Sequence, residues 1–305
     1  MIETFLQPLP HGITLSCRAA GERGRPVLLF LHGFPEAAFV WDTLLEHFSR
    51  PENGGYRCVA PNLRGFERSS APKDISAYRP KYLVQDIAAL IAIEAAGQGG
   101  QLAALVAHDW GGAVAWNLAN QHPHLARRLV IINSPHPGTF LRELKSSAAQ
   151  QANSAYMNFL IRPDAEILLT QDDYRRLWEF LGNTKTGAST PTWLTNEVKD
   201  QYRAAWSGGL TGGCNLYRAS PLRPPREGDP AAAAIDLPLA MLTVSLPTLV
   251  IWALDDIALP PALIDGLDAY VDQLTLKTVP GASHWVVHEQ PALIAELIQA
   301  YLLQK

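Results

Sequence analysis

Short apolar runs alternate with longer amphipathic stretches along the first part of the chain. The apolar runs have the length and composition of buried strands, and they lie at residues 26–31, 56–61, 102–107 and 129–133. The stretches between them have helical spacing and lie at residues 38–49, 81–96 and 111–120. Strands that alternate with helices in this way predict a parallel sheet with helices on both faces.

Further strands are predicted at both ends of the chain. Residues 3–9 and 13–19 flank a Pro-His-Gly turn, which indicates an antiparallel hairpin at the edge of the sheet. Near the C-terminus, strands are predicted at 247–253 and 274–279, before a helix at 291–303. The sequence therefore predicts an α/β fold with a mostly parallel, eight-stranded sheet.

The alternation stops in the middle of the chain. Residues 138–230 contain amphipathic stretches such as 172–181 and 196–205 but no convincing buried strand. We therefore expect a helical cap at 138–230, inserted into a core formed by residues 1–137 and 231–305.

Composition narrows the class of protein. With 305 residues and 48% hydrophobic content, the chain is long enough for one large core and an inserted subdomain. The net charge is −4 and there is no run of basic residues, so nucleic acid is not an expected partner. The most apolar stretch, 237–254, is interrupted by Pro238 and Pro247, which argues against a membrane span.

The cysteines and the N-terminal residues indicate a cytoplasmic protein. The three cysteines match neither a disulfide framework nor a zinc site, and we expect free thiols in a reducing compartment. Residues 1–4 lack the basic and apolar regions of a secretory signal. No spacing of His, Cys or carboxylate residues indicates a metal site, and no Gly-rich turn indicates a nucleotide cofactor.

Asp109 lies at the sharp turn between the strand predicted at 102–107 and the helix predicted at 111–120. Small residues are needed around such a strained turn, and Ala107 and Gly111 provide them. A serine at this position would suit acyl transfer. A carboxylate can instead displace a leaving group from a saturated carbon and form an alkyl ester on the enzyme. The expected chemistry is therefore carbon–oxygen or carbon–halogen cleavage.

An acid and then a base follow Asp109, which gives the order nucleophile, acid, base that this kind of site requires. Asp256 follows a predicted strand and His284 lies in the loop after the last strand, so both fall at carboxyl ends of strands. A histidine can take a proton from water, and a carboxylate behind it fixes the tautomer. Asp255 and His288 remain alternatives to Asp256 and His284, which we prefer.

The sequence H-G-F-P-E at residues 32–36 follows directly after a predicted strand. This loop can lie beside the turn that carries Asp109, so that the backbone amides of Phe34 and Trp110 form an oxyanion hole. Pro35 would hold the loop rigid, and a cis Phe34–Pro35 bond is one way in which it could do so.

These segments resemble those of the epoxide hydrolases of the α/β-hydrolase fold, and the resemblance covers nearly the whole chain. The matching segments are H-G-F-P-E at 32–36, H-D-W-G-G at 108–112, N-S-P-H-P at 133–137, D-I-A-L at 256–259 and S-H-W at 283–285. The resemblance implies that a small apolar epoxide is converted to a vicinal diol without a metal or organic cofactor. We expect a monomer or a homodimer.

Two segments of the predicted cap are similar to those that carry the family's ring-opening tyrosines. They are S-A-Y at 154–156 and N-L-Y-R at 215–218. By this resemblance, Tyr156 and Tyr217 would bind the epoxide oxygen and protonate the alkoxide. Tyr174 and Tyr202 lack such context and are predicted to be packing residues, as are Trp178, Trp193 and Trp206.

The chain departs from the family pattern at several positions. Ala107 replaces the usual Gly, Asn62 the usual Asp and Glu67 the usual Gly, while Asn158 and Arg162 are unusually polar.

A haloalkane dehalogenase, in which Trp110 would bind halide, is the nearest rival, and Phe34 and the cap tyrosines disfavour it. Trp110 and Ala113 stand where a fluoroacetate dehalogenase has arginines, and the absence of G-x-S-x-G disfavours an esterase. A hydrolase-fold receptor without turnover is the alternative from another class.

Overall fold

The computed structural model describes residues 1–183 and 190–304. Its centre is a sheet of eight strands in the order β1-β2-β4-β3-β5-β6-β7-β8. The strands are β1 (Glu3–Pro8), β2 (Thr14–Ala20), β3 (Val27–Leu31), β4 (Arg57–Pro61), β5 (Ala104–His108), β6 (Leu129–Ile132), β7 (Thr248–Ala253) and β8 (Leu274–Val279).

Strand β2 runs antiparallel to β1 and β4, and the remaining neighbours pair in parallel. The prediction of a mostly parallel, eight-stranded sheet with an edge hairpin is confirmed. The carboxyl ends of β3 to β8 consequently lie along one edge of the sheet, where open α/β sheets place their ligands. Phe34, Asp256 and His284 lie in the loops after β3, β7 and β8, and Asp109 directly follows β5.

Helices cover both faces of the sheet and also form the segment between β6 and β7. The helices are α1 (Asp42–Ser49), α2 (Pro80–Glu94), α3 (Asp109–Gln121), α4 (Pro137–Ser146), α5 (Ala148–Asn153), α6 (Ala155–Leu160), α7 (Ala165–Gly182), α8 (Asn196–Trp206), α9 (Thr211–Ala219), α10 (Val286–Glu289) and α11 (Pro291–Leu302). Among the described residues, none of the helices is long and apolar enough to cross a membrane.

Each central strand is apolar on both sides because each side packs against helices. In β3, Leu29 and Leu31 join a core that includes residues of α2 and α3, while Leu28 and Phe30 join a second core with α1 and α11. Successive side chains of a strand point to opposite faces, so an uninterrupted apolar run is what a doubly covered sheet needs.

Helices α4 to α9, which we call the helical insertion, lie between β6 and β7 in the chain. Helix α8 matches the prediction at 196–205. Helix α7 differs from the prediction at 172–181, because it begins at Ala165 and is broken at residues 171–174. Asp172 and Asp173 have φ of 52° there, and Asp tolerates the left-handed region better than most residues. Helical spacing continues across the break, so the periodicity did not reveal it.

Candidate active site

Asp109 lies where β5 ends and α3 begins, and its backbone has a φ of 48°. A non-glycine residue in the left-handed region is strained and needs support from its surroundings. Two positions next to Asp109 have room only for glycine. A Cβ added at Gly33 would overlap the Asp109 side chain, and one added at Gly111 would overlap the Leu31 carbonyl. The tight turn therefore projects the Asp109 carboxylate away from the sheet edge.

The loop after β3 meets this carboxylate through a backbone amide. The Phe34 N–H donates to Asp109 Oδ1 at 2.7 Å, and the Phe34–Pro35 bond is cis. His32 anchors the loop, because its Nε2 accepts from the Leu63 N–H at 3.1 Å and its Nδ1 lies 2.8 Å from the Gly33 carbonyl. Burial lowers the pKa of His32 to about 4, so this imidazole is neutral at ordinary pH.

His284 lies between two carboxylates. Its Nδ1 donates to Asp256 Oδ2 at 2.6 Å, and its Nε2 faces Asp109 Oδ2 at 3.7 Å. Asp256 is held in turn by Asn133, whose Nδ2 donates to the same Oδ2 at 2.9 Å. The structure thus brings Asp109, His284 and Asp256 together, with the imidazole between the two carboxylates.

The alternatives to Asp256 and His284 occupy other environments. His288 Nε2 lies 2.8 Å from the Tyr202 hydroxyl and 3.3 Å from Glu36 Oε1. The side chain of Asp256, and not that of Asp255, is the one hydrogen-bonded to His284. The geometry therefore favours Asp256 and His284.

The two carboxylates favour the charged form of His284. Burial alone would lower the pKa of His284, but the negative charges of Asp256 and Asp109 and the hydrogen bond to Asp256 raise it to about 9. Burial likewise opposes ionisation of Asp256, yet His284, Asn133 and a backbone amide hold the pKa of Asp256 below its usual range. Asp256 is therefore ionised whenever His284 carries its second proton.

Tyr156 on α6 and Tyr217 on α9 face Asp109 from the helical insertion. Their ring centroids lie 6.1 Å apart, and the Trp110 ring packs edge-on against Tyr217 at 5.0 Å. Burial and the negative charge of Asp109 raise the pKa of both tyrosines. Both hydroxyls therefore keep their protons and can act as hydrogen-bond donors.

These side chains share one cavity. Asp109, His284, Asp256, Tyr156 and Tyr217 all line a space of about 340 Å³, a size typical of sites for small molecules. Phe34, Phe180, Ile257 and Trp285 make its wall largely apolar. A second space of about 110 Å³ reaches Asp109 and both tyrosines from another side, where Trp110, Phe140, Met157 and Leu259 line it.

A buried polar network lies behind the cavity, outside the predicted site residues. His108 Nδ1 lies 2.9 Å from Glu36 Oε2, and its Nε2 lies 3.0 Å from the His284 carbonyl oxygen. Burial opposes ionisation of Glu36, but His108 and His288 hold the pKa of Glu36 well below its usual range. Tyr202, predicted to be a packing residue, also contacts this network through its hydroxyl. Glu36 lies in the H-G-F-P-E segment and His108 in the H-D-W-G-G segment, and this position within the motifs was the only sequence signal that could have indicated the network.

Comparison with known proteins agrees with the fold. Residues 26–291 match the family model described as "alpha/beta hydrolase fold". The chain is 33% identical to the AB hydrolase superfamily protein YfhM of Bacillus subtilis, with 96% of this chain and 95% of that protein covered. It is 31% identical to epoxide hydrolase 3 of Xenopus tropicalis, with 98% and 77% covered.

A solved structure is also similar. It is described as one of the novel epoxide hydrolases of the α/β-hydrolase superfamily in metagenomes from hot environments, and it superposes with a TM-score of 0.86 at 34% identity, with both chains fully covered. The chain therefore belongs to the α/β-hydrolase-fold family, in the branch that contains the epoxide hydrolases. The family resemblance seen in the sequence motifs is confirmed.

Proposed function

We propose that this protein hydrolyses an epoxide to a vicinal diol through a covalent ester on Asp109. The observation that carries the proposal is the convergence of three groups on one apolar cavity: the Asp109 carboxylate, the His284–Asp256 pair and the hydroxyl groups of Tyr156 and Tyr217. The relatives named epoxide hydrolases support the same substrate class.

The first half-reaction forms the ester. Asp109 Oδ1 is occupied by the Phe34 N–H, so Oδ2 attacks an epoxide carbon while the carbon–oxygen bond of the ring breaks. Tyr156 and Tyr217 donate hydrogen bonds to the departing oxygen, and one of them gives up its proton to the alkoxide. Because both tyrosines strongly favour the neutral form, the tyrosinate is reprotonated when the ester is hydrolysed.

The second half-reaction releases the diol. His284 takes a proton from water, the water oxygen attacks Cγ of Asp109, and the charge develops on Oδ1 beside the Phe34 N–H. We assign the second oxyanion donor to the Trp110 amide, at the N-terminus of α3, where amides have no partner within the helix. Collapse breaks the Cγ–Oδ2 bond while the imidazolium of His284 gives its proton to Oδ2, so the diol leaves with that Asp109 oxygen. The water oxygen stays in the carboxyl group, and its second proton goes to the tyrosinate, which leaves Asp109 ionised.

Esterification also prepares the base. The negative charge of Asp109 helps to raise the pKa of His284, and this charge is lost when Asp109 becomes an ester. The pKa of His284 then falls, so a larger fraction of the imidazole is neutral when water must be deprotonated. The intermediate therefore favours its own hydrolysis.

The helical insertion acts as a cap in this proposal. Residues 138–230 supply both tyrosines and would exclude bulk water from the ester, while residues 1–137 and 231–305 supply the triad. We also propose a cytoplasmic location, which the three free, buried cysteines support.

The decisive experiment is a single turnover in water labelled with oxygen-18. An epoxide that turns over would first be selected from a panel of terminal, aryl and trans-disubstituted epoxides. The covalent route places the label in Asp109 and leaves the diol unlabelled, whereas direct attack of water on the epoxide labels the diol.

Asp109→Ala, Tyr156→Phe and Tyr217→Phe should each reduce diol formation, the tyrosine variants by about a hundredfold. Bromide release from bromoalkanes without diol from any epoxide would instead identify a haloalkane dehalogenase.

A further inference from the structure

The loop that carries the Phe34 amide is held from two sides. On the core side, His32 Nε2 accepts from the Leu63 N–H at 3.1 Å, and within the loop the Glu36 N–H donates to the Gly33 carbonyl at 3.1 Å. On the side of the helical insertion, the Trp206 Nε1–H of α8 donates to the Pro35 carbonyl at 2.7 Å. Pro35 is the next residue after Phe34, so a displacement of its carbonyl moves the amide that contacts Asp109.

A second residue of α8 reaches the end of the same loop. The Tyr202 hydroxyl lies 3.5 Å from Glu36 Oε1 and 2.8 Å from His288 Nε2, which itself lies 3.3 Å from Glu36 Oε1. The Tyr202 ring packs edge-on against Phe39 at 4.8 Å. Tyr202 is fully buried and Trp206 is 3% exposed. Hydrogen bonds in such dry surroundings hold their geometry tightly, because a buried group left unpaired is costly.

Aromatic packing alone does not explain these contacts. Trp178 belongs to the same aromatic cluster, with its ring 4.6 Å from that of Trp206, but its Nε1–H donates to the Asp173 carbonyl at the surface. The cluster can therefore hold an indole whose N–H points elsewhere. What distinguishes Trp206 is the donor directed at the loop that contains Phe34.

We propose that Trp206 and Tyr202 are positioning residues that set the oxyanion-hole loop from the helical insertion. This inference rests on the proposed function. The Phe34 N–H already contacts a charged Asp109 oxygen before the epoxide reacts, but in ester hydrolysis new charge must form on that oxygen in the transition state. A displaced loop therefore slows hydrolysis of the ester more than its formation.

The test measures the two half-reactions separately in Trp206→Phe and Tyr202→Phe. Rapid quenching followed by mass spectrometry of the Asp109 peptide gives the rates at which the ester forms and disappears. We expect ester formation to stay within about threefold and hydrolysis to slow about tenfold, less than the loss of a complete oxyanion donor. The ester should consequently accumulate at steady state. Trp178→Phe is the matched control and should leave the ratio of the two rates unchanged.

Several outcomes would overturn the proposal. If hydrolysis is unchanged, or if both rates fall equally, the two residues have a packing role only. If Trp206→Phe does not fold, a benzothiophene analogue of tryptophan at position 206 keeps the bicyclic ring and removes the N–H, and the same rate ratio decides. Failure of the unaltered protein to form an ester with any epoxide would overturn the proposed function and this inference with it. Normal ester turnover in both variants would overturn this inference alone.

Discussion

Asn133 and His284 donate hydrogen bonds to the same oxygen of Asp256. The donor atoms Asn133 Nδ2 and His284 Nδ1 lie 2.9 Å and 2.6 Å from Oδ2, while Oδ1 accepts from the amides of Ala258 and Leu259, each at 2.9 Å. The Asn133 carbonyl oxygen accepts from the Ala253 N–H at 2.8 Å, which fixes the orientation of its amide. Asp256 is thus held as an immobile, ionised partner of His284.

Asn133→Asp should impair hydrolysis of the ester. The variant keeps the acceptor for the Ala253 N–H but places a carboxylate oxygen against Asp256, and two carboxylates at this distance cannot both ionise freely. We expect kcat to fall by roughly tenfold to a hundredfold at pH 7, because the proton that the two carboxylates must share weakens Asp256 as the partner of His284. A kcat–pH profile provides the measurement. Asn120→Asp makes the same change far from the site and should leave the profile unaltered.

The pKa of His284 should depend on the charge of Asp109. In the unreacted protein we expect the imidazole to titrate near pH 9, since burial is outweighed by Asp256 and Asp109. Asp109→Asn removes one of these charges, as the ester does, and should lower the pKa. NMR titration of the histidine ring protons, with His284→Gln used for assignment, would measure both values. Identical titration in the two proteins would contradict the proposed activation of the base.

The stability of the protein should reflect the same titration. The folded-state pKa of His284, about 9, lies above the unfolded value of 6.5, so the folded state binds the extra proton more tightly. The resulting stabilisation, on the order of 3 kcal/mol, is fully present below pH 6.5 and lost as pH rises through 9. Urea unfolding of the wild type and His284→Gln at pH 6 and pH 9.5 should show the difference in free energy of unfolding shrinking at the higher pH.

Gly33→Ala should abolish most of the activity while the sheet still forms. The added methyl group would overlap the Asp109 side chain, so either the carboxylate or the Phe34 amide must move. A loss of about a hundredfold or more in kcat is expected, because small displacements of reacting groups have effects of that size. Gly97→Ala is the control, since a Cβ at Gly97 meets nothing within 4 Å. Equal activity of the two variants would show that the loop has more freedom than the packing indicates.

Asn62 and Glu67, two departures from the family pattern, are coupled in the structure. Asn62 Nδ2 donates to Glu67 Oε2 at 3.2 Å, and the Ser16 hydroxyl donates to the same oxygen. Asn62→Asp would replace that donor with a negative charge and should destabilise the fold, whereas Asn62→Asp combined with Glu67→Gly should recover much of the loss. A double-mutant cycle of unfolding free energies should give a coupling between about 0.5 and 3 kcal/mol. Additive effects would show that the two changes are independent.

The strands, their direction and the sharp turn at Asp109 were predictable because each depends on local patterns. Apolar runs, helical spacing and small residues around the turn are visible within a few positions of one another. The break in α7 was not predictable, because Asp172 and Asp173 also fit a continuous helix.

The supporting residues of the site were harder to predict because they come from distant loops. Asn133 lies after β6 and Asp256 after β7, so their contact depends on the neighbouring positions of these strands. The interaction of Tyr202 with Glu36 joins residues 166 positions apart, and nothing local distinguishes Tyr202 from a packing tyrosine. Sequence patterns indicate the reacting groups, whereas the groups that orient them appear only in three dimensions.

The left-handed backbone at Asp109 has a consequence for laboratory evolution. A residue other than glycine at a φ of 48° costs on the order of 1 kcal/mol, and glycine would relieve this strain. Glycine would remove this strain together with the carboxylate that the proposed chemistry requires, so selection for heat resistance alone does not protect Asp109. A screen for a more robust form of this protein must therefore score turnover at every round.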